Sequence, residues 1–378
     1  MKPYVKRLLL GALLFSGTLR AEDSVPIDPT MHAEDDAYLN RQAAALLAEV
    51  EQSLAQHSPQ LPAPRERRLA LLLMDGILHE KYAPNRPAVQ AFYQGRMEKA
   101  LQEMEATKVG EGARIWKLYN HAFVVRTASV TLGFDLNPGI DSFRVNDPAG
   151  ERSTVPAPGF AMDASMRERL VRQCDVLFIS HRHRDHADAS IATLFLEAGK
   201  PVVGPPEVFE GQPIEARLTR LERDAGKRQP LPVQEGRQTL QVVAYPGQQY
   251  QGSGIPNNVV LVYTPEGLTF LHNGDQINDP YPAYQEDFKW IDQIATQHTV
   301  DVFMTNCWTN DLLRMTRGIK PKLVLPGHEN ELGHPLWDRV PYWGDEQFLH
   351  LNNAEVKKEY PVLVMTWGEG YSYTRAGE

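Results

Sequence analysis

The stretch that decides the fold reads Ser180-His181-Arg182-His183-Arg184-Asp185-His186. It places four side chains of metal-binding type within six residues, although the whole chain has only 12 histidines. The apolar run 175–180 before it predicts a buried strand, and residues 188–198 after it have helical spacing. The four side chains therefore lie on a loop between a strand and a helix, where they can converge on one point. A polar surface loop is the alternative, but few structural roles need that density of ligands.

Imidazole and carboxylate groups in this pattern predict a bound cation. They suit Zn²⁺ first, with Mn²⁺ and Fe as the alternatives. His181 and His183 alternate across one residue and can hold one ion, while Asp185 and His186 reach a neighbouring one. One or two ions of this kind lower the pKa of bound water toward about 7. The pattern thus predicts hydrolysis by activated water, without a Ser or Cys nucleophile.

Two later segments add candidate ligands in similar settings. A predicted hairpin, with strands 259–263 and 268–272, ends in Asn273-Gly274-Asp275. Further on, the apolar run 322–325 leads into Pro326-Gly327-His328. Each candidate ligand follows directly after a predicted strand, so we expect them to meet at one end of a sheet structure.

This order of motifs resembles the metal-binding pattern of the metallo-β-lactamase superfamily. Tyr119-Asn120-His121-Ala122-Phe123 also resembles the entry hairpin of the branch that contains ascorbate-6-phosphate lactonase and N-acyl-phosphatidylethanolamine phospholipase D. The resemblance covers residues 111–345 and implies an α/β fold, the αββα sandwich, in which Asp275 bridges two ions. The implied metal ligands are His181, His183, Asp185, His186, Asp275 and His328.

The resemblance also implies an activity. It favours a hydrolase that cleaves an ester, lactone, amide or phosphodiester bond of a small molecule, rather than a β-lactam. We expect Asp185 to act in catalysis by orienting the activated water. We expect His121 to contact substrate, donate a proton or replace a ligand. Asp135, which ends its strand, is expected to hold a ligand histidine rather than to bind metal itself.

One position departs from the family pattern. The strand 240–244 leads into Tyr245-Pro246-Gly247-Gln248-Gln249, where the family usually supplies a histidine. An amide oxygen is a weaker ligand, so we expect the ion of Asp185, His186, Asp275 and His328 to bind more readily than the ion of His181 and His183. Two rival functions stay open: a member that binds metal or ligand without turnover, and a redox di-iron protein. The redox di-iron function has less support, because the sequence shows no appended flavin-binding domain.

Three segments are predicted along the chain. Residues 1–21 read as a secretory signal because cationic residues precede an apolar run too short to span a bilayer. Residues 22–110 form a helical extension with helices over 35–57, 64–81 and 86–107, whose role as a cap, a dimer contact or a substrate gate is left open. Residues 111–378 form the catalytic domain, in which residues 137–160 are expected to be a long loop. The mature protein is predicted to be periplasmic or secreted, without a stable membrane anchor.

Net charge limits the class of partner, and the positions of the cysteines bear on a disulfide. Loss of residues 1–21 leaves 35 Lys and Arg against 48 Asp and Glu, a net charge of −13. Such a protein repels nucleic acid, so we expect a small-molecule substrate and no nucleic acid partner. Oligomeric state is left open. Cys174 and Cys307 flank predicted strands at opposite ends, so we expect no disulfide between them.

Overall fold

Two six-stranded β-sheets form the centre of the fold among the residues that the structure describes. This computed structural model describes residues 29–78, 83–140, 142–146, 152–157, 159–249, 254–276, 285–307, 309, 311–328, 332 and 353–375. The strands, in chain order, are β1 (Ala113–Lys117), β2 (Phe123–Arg126), β3 (Thr131–Phe134), β4 (Ser142–Asn146), β5 (Arg152–Pro156), β6 (Val176–Phe178), β7 (Val202–Val203), β8 (Gln229–Val233), β9 (Gln238–Gln248), β10 (Pro256–Tyr263), β11 (Thr269–His272), β12 (Val302–Asn306), β13 (Leu323–Gly327) and β14 (Glu369–Tyr373).

The strand order brings the motif-bearing strands together. The first sheet runs β14-β1-β2-β3-β6-β7, and the second runs β13-β12-β11-β10-β9-β8. Strands β3, β6 and β7 are parallel, as are β11, β12 and β13, and the remaining pairs in both sheets are antiparallel. Parallel neighbours end at the same edge of a sheet. The loops after them therefore lie side by side.

Helices cover the outer face of each sheet. In chain order they are α1 (Pro29–Gln56), α2 (Arg65–Leu78), α3 (Pro87–Ala106), α4 (Ala164–Gln173), α5 (Ala189–Glu197), α6 (Gln285–Ile291), α7 (Ile294–Gln297), α8 (Leu312–Ile319) and α9 (Asn353–Glu359). Residues 43–56 of α1 and helices α2–α5 share a buried apolar cluster with the first sheet. Helices α6–α9 share another with the second sheet. The layers are therefore helix, sheet, sheet, helix, as the sequence predicted.

A third apolar cluster fills the space between the sheets. Alternation along β1 and β2 shows how it forms: Ile115 and Val125 face the second sheet, while Trp116 and Val124 face the helices. Because both faces of these strands are buried, they read as nearly continuous apolar runs in the sequence. The packed layers fix the positions of the strand ends and leave the loops after them to carry polar side chains.

Most predicted elements are present, and one is wrong. The hairpin over 259–263 and 268–272 is confirmed as β10 and β11, and the three N-terminal helices are confirmed as α1, α2 and α3. Within the predicted loop 137–160, β4 and β5 instead pair as an antiparallel hairpin. Polar and apolar residues alternate along β4, and this signal outweighs the prolines that suggested a loop, whereas β5 has no such alternation and pairs with β4 along its length.

Further predictions concern the signal segment, membrane spans and the two cysteines. The expected signal, residues 1–21, lies outside the described residues. Of the residues that the structure describes, those from 43 onward form one unit and residues 29–42 belong to another. Among the described residues, no helix combines the length and apolar character needed to cross a bilayer.

Cys174 and Cys307 are buried free thiols, so the absence of a disulfide is confirmed. The strands beside them, β6 and β12, lie in different sheets and are not parallel neighbours in one sheet.

A buried ion pair ties α2 to the last strand of the first sheet. The Arg67 guanidinium donates to both carboxylate oxygens of Glu369, with 2.7 Å between Nη1 and Oε1. It also donates to the backbone carbonyls of Val364 at 2.8 Å and His57 at 3.1 Å. Both side chains are almost fully buried, at 1% and 5% exposed. Removal of Arg67 would leave the buried Glu369 carboxylate with a longer contact to the Arg96 guanidinium, 3.8 Å away, as its charge partner.

We therefore predict that Arg67→Ala lowers the free energy of unfolding by about 3–5 kcal/mol, measured by urea denaturation. The matched control is Lys99→Ala, because Lys99 pairs with Glu51 at 3.0 Å with both side chains exposed. An exposed pair contributes only about 0–1 kcal/mol. Equal losses of unfolding free energy in the two variants would show that the buried pair stabilises the fold no more than the exposed one.

Candidate metal centre

The predicted ligands meet where strand ends of the two sheets face each other. Asp185 and His186 lie on the loop after β6 of the first sheet. Asp275 follows β11 and His328 follows β13, both in the second sheet. The donor atoms of these four residues all lie within 4.8 Å of one another. We call this group site A. The donor atoms of His181, His183 and Asp275 form a second such group, which we call site B.

The distances in site A match a tetrahedral cation site. His186 Nε2 lies 2.8 Å from Asp185 Oδ2 and 3.2 Å from Asp275 Oδ1. His328 Nε2 lies 3.3 Å from Asp185 Oδ2 and 3.2 Å from Asp275 Oδ1. Bonds of about 2.1 Å in tetrahedral geometry would place neighbouring ligand atoms about 3.4 Å apart. A small movement of the side chains would therefore accommodate an ion.

Asp135 orients His186 toward this point. Its Oδ2 lies 2.7 Å from His186 Nδ1, and Ser180 donates to the same carboxylate from its backbone N at 2.7 Å and its Oγ at 2.6 Å. Burial opposes ionisation of Asp135, but His186 and His272 outweigh it and hold the pKa of that carboxyl below its ordinary value. The structure thus places Asp135 in contact with His186, one of the predicted ligands.

The orientation of His186 requires something positive at site A. Its Nδ1 proton is used by Asp135, so a neutral ring turns a lone pair at Nε2 toward the oxygens of Asp185 and Asp275. Burial lowers the pKa of His186, but the three carboxylates around it prevail and raise that pKa well above the ordinary value. A proton or a metal ion must therefore lie between these groups. The residues of site A fit a divalent cation.

Side-chain amides hold the two ligand carboxylates. Asn120 Nδ2 donates to Asp185 Oδ2 at 2.9 Å, and Asn306 Nδ2 donates to Asp275 Oδ1 at 2.8 Å. Asn120 has a positive φ of 54°, and Lys117 Nζ donates to its carbonyl oxygen at 2.9 Å. The sequence analysis did not single out either asparagine. The signal available was the position of each at a turn or a strand end, next to predicted ligands.

Gln249 lies at site B, where the family pattern usually has a histidine. Its Nε2 lies 2.9 Å from His183 Nδ1 and 2.8 Å from Asp275 Oδ2. Its side chain is buried at 2% exposed, at the end of β9. His181 Nε2 lies 3.6 Å from Asp275 Oδ2. The structure thus brings His181, His183 and Asp275 together, with the amide nitrogen of Gln249 bridging two of them.

Comparison with known proteins identifies a curated relative. A protein of Escherichia fergusonii named "Probable L-ascorbate-6-phosphate lactonase UlaG" is 23% identical over 234 residues, which are 54% of this chain and 61% of that protein. The chain therefore spans about three fifths of the length of the curated relative it matches. The layer order, the motif series and this similarity agree. The chain has the metallo-β-lactamase fold. No family model matches it.

Solved structures with similar folds include proteins of different chemistry. Igni18, a metallo hydrolase from Ignicoccus hospitalis, is 15% identical, covers 70% of this chain and 99% of its own, and has a TM-score of 0.46. CmlA, a di-iron β-hydroxylase from Streptomyces venezuelae, is 14% identical, covers 71% of this chain and 55% of its own, and has a TM-score of 0.45.

His121 lies beside the metal centre of this metallo-β-lactamase fold but outside both ligand groups. Its ring is fully buried and stacks on His272 at 4.2 Å between centroids, and it lies 6.2 Å from the ring of His328. A Cβ at Gly327 would approach His121 Nδ1 to 2.2 Å, so the backbone before His328 touches this ring. Burial holds the pKa of His121 well below its ordinary value, and the ring is neutral.

Because Asp135 fixes the ring of His186, we predict that Asp135→Asn weakens binding of one metal ion about 10–100-fold, measured by competition with a chromophoric chelator. Asp175→Asn is the matched control. Asp175 also joins β3 to the β6 segment, through Thr131 N at 2.8 Å, but it lies at the opposite end of these strands from site A. An equal loss of affinity in both variants would contradict a role specific to Asp135.

Proposed function

We propose that this chain is an exported metal-dependent hydrolase that cleaves an ester, lactone, amide or phosphodiester bond of a small molecule. The observation that carries the proposal is the convergence of two imidazole nitrogens and two carboxylate oxygens at site A. These groups come from both sheets and are held by buried hydrogen bonds. A dry cluster of this kind costs folding free energy, and a bound cation offsets that cost.

The donor set decides the proposed cation. Two imidazoles and two carboxylates suit Zn²⁺, and Mn²⁺ and Fe are the alternatives that the same donors accept. A divalent cation held there would supply Lewis acidity and a water molecule acidic enough to act as a nucleophile near neutral pH. The chain's own residues hold and orient the reacting groups.

Asp185 is proposed to act on the nucleophilic water as well as to bind metal. Its side chain is 20% exposed, more than those of His186, Asp275 or His328, so it forms the open side of site A. Asn120 fixes its Oδ2. A carboxylate held in this way can accept a proton from water and orient it toward an electrophilic carbon or phosphorus.

His121 is proposed to act by hydrogen bonding at the reaction centre. Both of its ring nitrogens are buried, and neither has a hydrogen-bond partner among the described residues. A buried polar group without a partner costs about 1–3 kcal/mol, so its retention needs an explanation. Beside site A, a neutral imidazole can donate to a substrate or leaving-group oxygen.

Substrate class and location rest on the sequence. The name of the similar E. fergusonii protein specifies a phosphorylated lactone, and this favours lactones and phosphate esters for our chain. The signal-like residues 1–21 support export to the periplasm or beyond. The net charge of −13 without them supports a small-molecule substrate rather than nucleic acid.

The second candidate is a protein that binds metal or ligand without turnover. The presence of Gln249 at site B favours it, since a ligand position is altered. Site A is complete, however, and one ion is enough to activate water. The two candidates differ in turnover, which can be measured directly.

We predict that the protein purified with Zn²⁺, Mn²⁺ or Fe hydrolyses at least one member of a panel of esters, lactones, amides and phosphodiesters. Asp185→Asn should lower kcat/KM by about 10²–10⁴ through loss of a ligand and proton acceptor. The exposed loop residue Asp224 provides the control variant Asp224→Asn. Absence of turnover with every metal would transfer the assignment to the binding protein.

For His121, we predict that His121→Phe retains the wild-type metal content but lowers kcat about 10²–10⁴-fold, because a proton donor is removed. Metal content is measured by mass spectrometry and kcat by the same panel. His298→Phe is the control, since His298 contacts Tyr263 on the second sheet, away from site A. Unchanged kcat in His121→Phe would show that the ring serves only packing.

A further inference from the structure

We propose that the centre holds a single cation, at site A, and that the amide group of Gln249 takes the place of a second cation at site B. This inference rests on the metal-binding part of the proposed function and is independent of the bond that is cleaved. It follows from the hydrogen-bonding state of each ligand atom, which differs between the two sites.

At site A, acceptor atoms face one another without a donor between them. His186 Nε2 is buried, has no hydrogen-bond partner and points at carboxylate oxygens 2.8 and 3.2 Å away. Two lone pairs at such distances repel unless a positive charge lies between them. Site A therefore needs a positive charge between these atoms, which a divalent cation supplies when it is bound and a proton on His186 supplies otherwise.

At site B, a neutral donor already binds two of the three residues. The carboxylate of Asp275 can only accept, so the Gln249 atom 2.8 Å from its Oδ2 is the amide nitrogen. The second hydrogen of the same NH₂ group points to His183 Nδ1, 2.9 Å away. One amide group thus binds the carboxylate and the imidazole that a second cation would need.

The position of Gln249 is fixed by its surroundings. Gln276 Oε1 accepts from the backbone N of Gln248 at 2.9 Å, and Gln276 Nε2 donates to Asp287 at 2.8 Å. The backbone N of Gln249 donates to the Ile255 carbonyl at 3.2 Å. A Cβ at Gly247 would lie 1.9 Å from Gln276 Oε1, so only glycine fits at this position of β9. These contacts fix the backbone from which the buried side chain of Gln249 reaches site B.

Metal content of the intact protein tests the inference. After loading with Zn²⁺ or, separately, Mn²⁺ and extensive dialysis, we expect about one equivalent per chain by mass spectrometry. The fully buried pair His186 and His181 provides matched variants. His186→Ala should lose the ion, whereas His181→Ala should retain it, because only His186 belongs to site A.

Variants at Gln249 test the role of the amide. Gln249→His should bind a second equivalent, since an imidazole supplies a lone pair where the amide supplies hydrogens. Gln249→Leu should keep one equivalent. Circular dichroism and thermal unfolding with metal establish that each variant is folded, and the Co²⁺ absorption spectrum reports the number of occupied sites.

Three results would overturn the inference. Two equivalents in the wild type, falling to one in Gln249→Leu, would show that the amide oxygen is a metal ligand. Loss of the single ion in His181→Ala but not in His186→Ala would place it at site B. A single equivalent in Gln249→His would show that the amide is not what excludes the second ion. Absence of any bound metal would refute both this inference and the proposed function.

Discussion

The burial of carboxylates between the two sheets is the constraint on which the structure depends. Asp135 is fully buried and Asp275 is 5% exposed. Charges removed from water in this way are tolerated only with paired charges and satisfied hydrogen bonds. Asp135 meets the requirement with His186 and Ser180, and its own lowered pKa reports that these contacts outweigh burial. Asp275 accepts from Gln249 and Asn306, and its remaining interactions are with the imidazoles of the same centre, an arrangement that fits a bound cation.

Packing of the apolar layers offsets the free-energy cost of burying these polar groups. Strand ends converge because the cluster between the sheets and the two clusters under the helices hold the strands in register. The polar loops at that edge contribute little to the core, so their residues are free to serve chemistry. The ion pair between Arg67 and Glu369 stands elsewhere and joins α2 to β14. The contribution of this ion pair to stability can therefore be tested by substitutions that leave the residues of sites A and B unchanged.

Sequence reasoning reached the residues of sites A and B because they are dense and follow apolar strands. It also reached Asp135, since a carboxylate at the end of a strand beside the motif has a partner to hold. It could not choose between Gln248 and Gln249, because adjacent residues of a strand face opposite ways and the register is set by β10. Asn120 and Asn306 were missed because a single amide has no spacing signal. The hairpin β4–β5 was missed because the prolines were given more weight than the alternation in β4, and because β5 has no alternation of its own.

The charge at the centre bears on the number of ions. Asp185 and Asp275 carry two negative charges, which one divalent cation balances, with His186 and His328 neutral. At site B the remaining groups, His181, His183 and Gln249, are neutral, and burial holds the pKa of His181 at about 3. A second divalent ion would therefore add two positive charges to a buried site with no further carboxylate in either ligand group. The neutral amide of Gln249 avoids that cost while it keeps Asp275 and His183 in position.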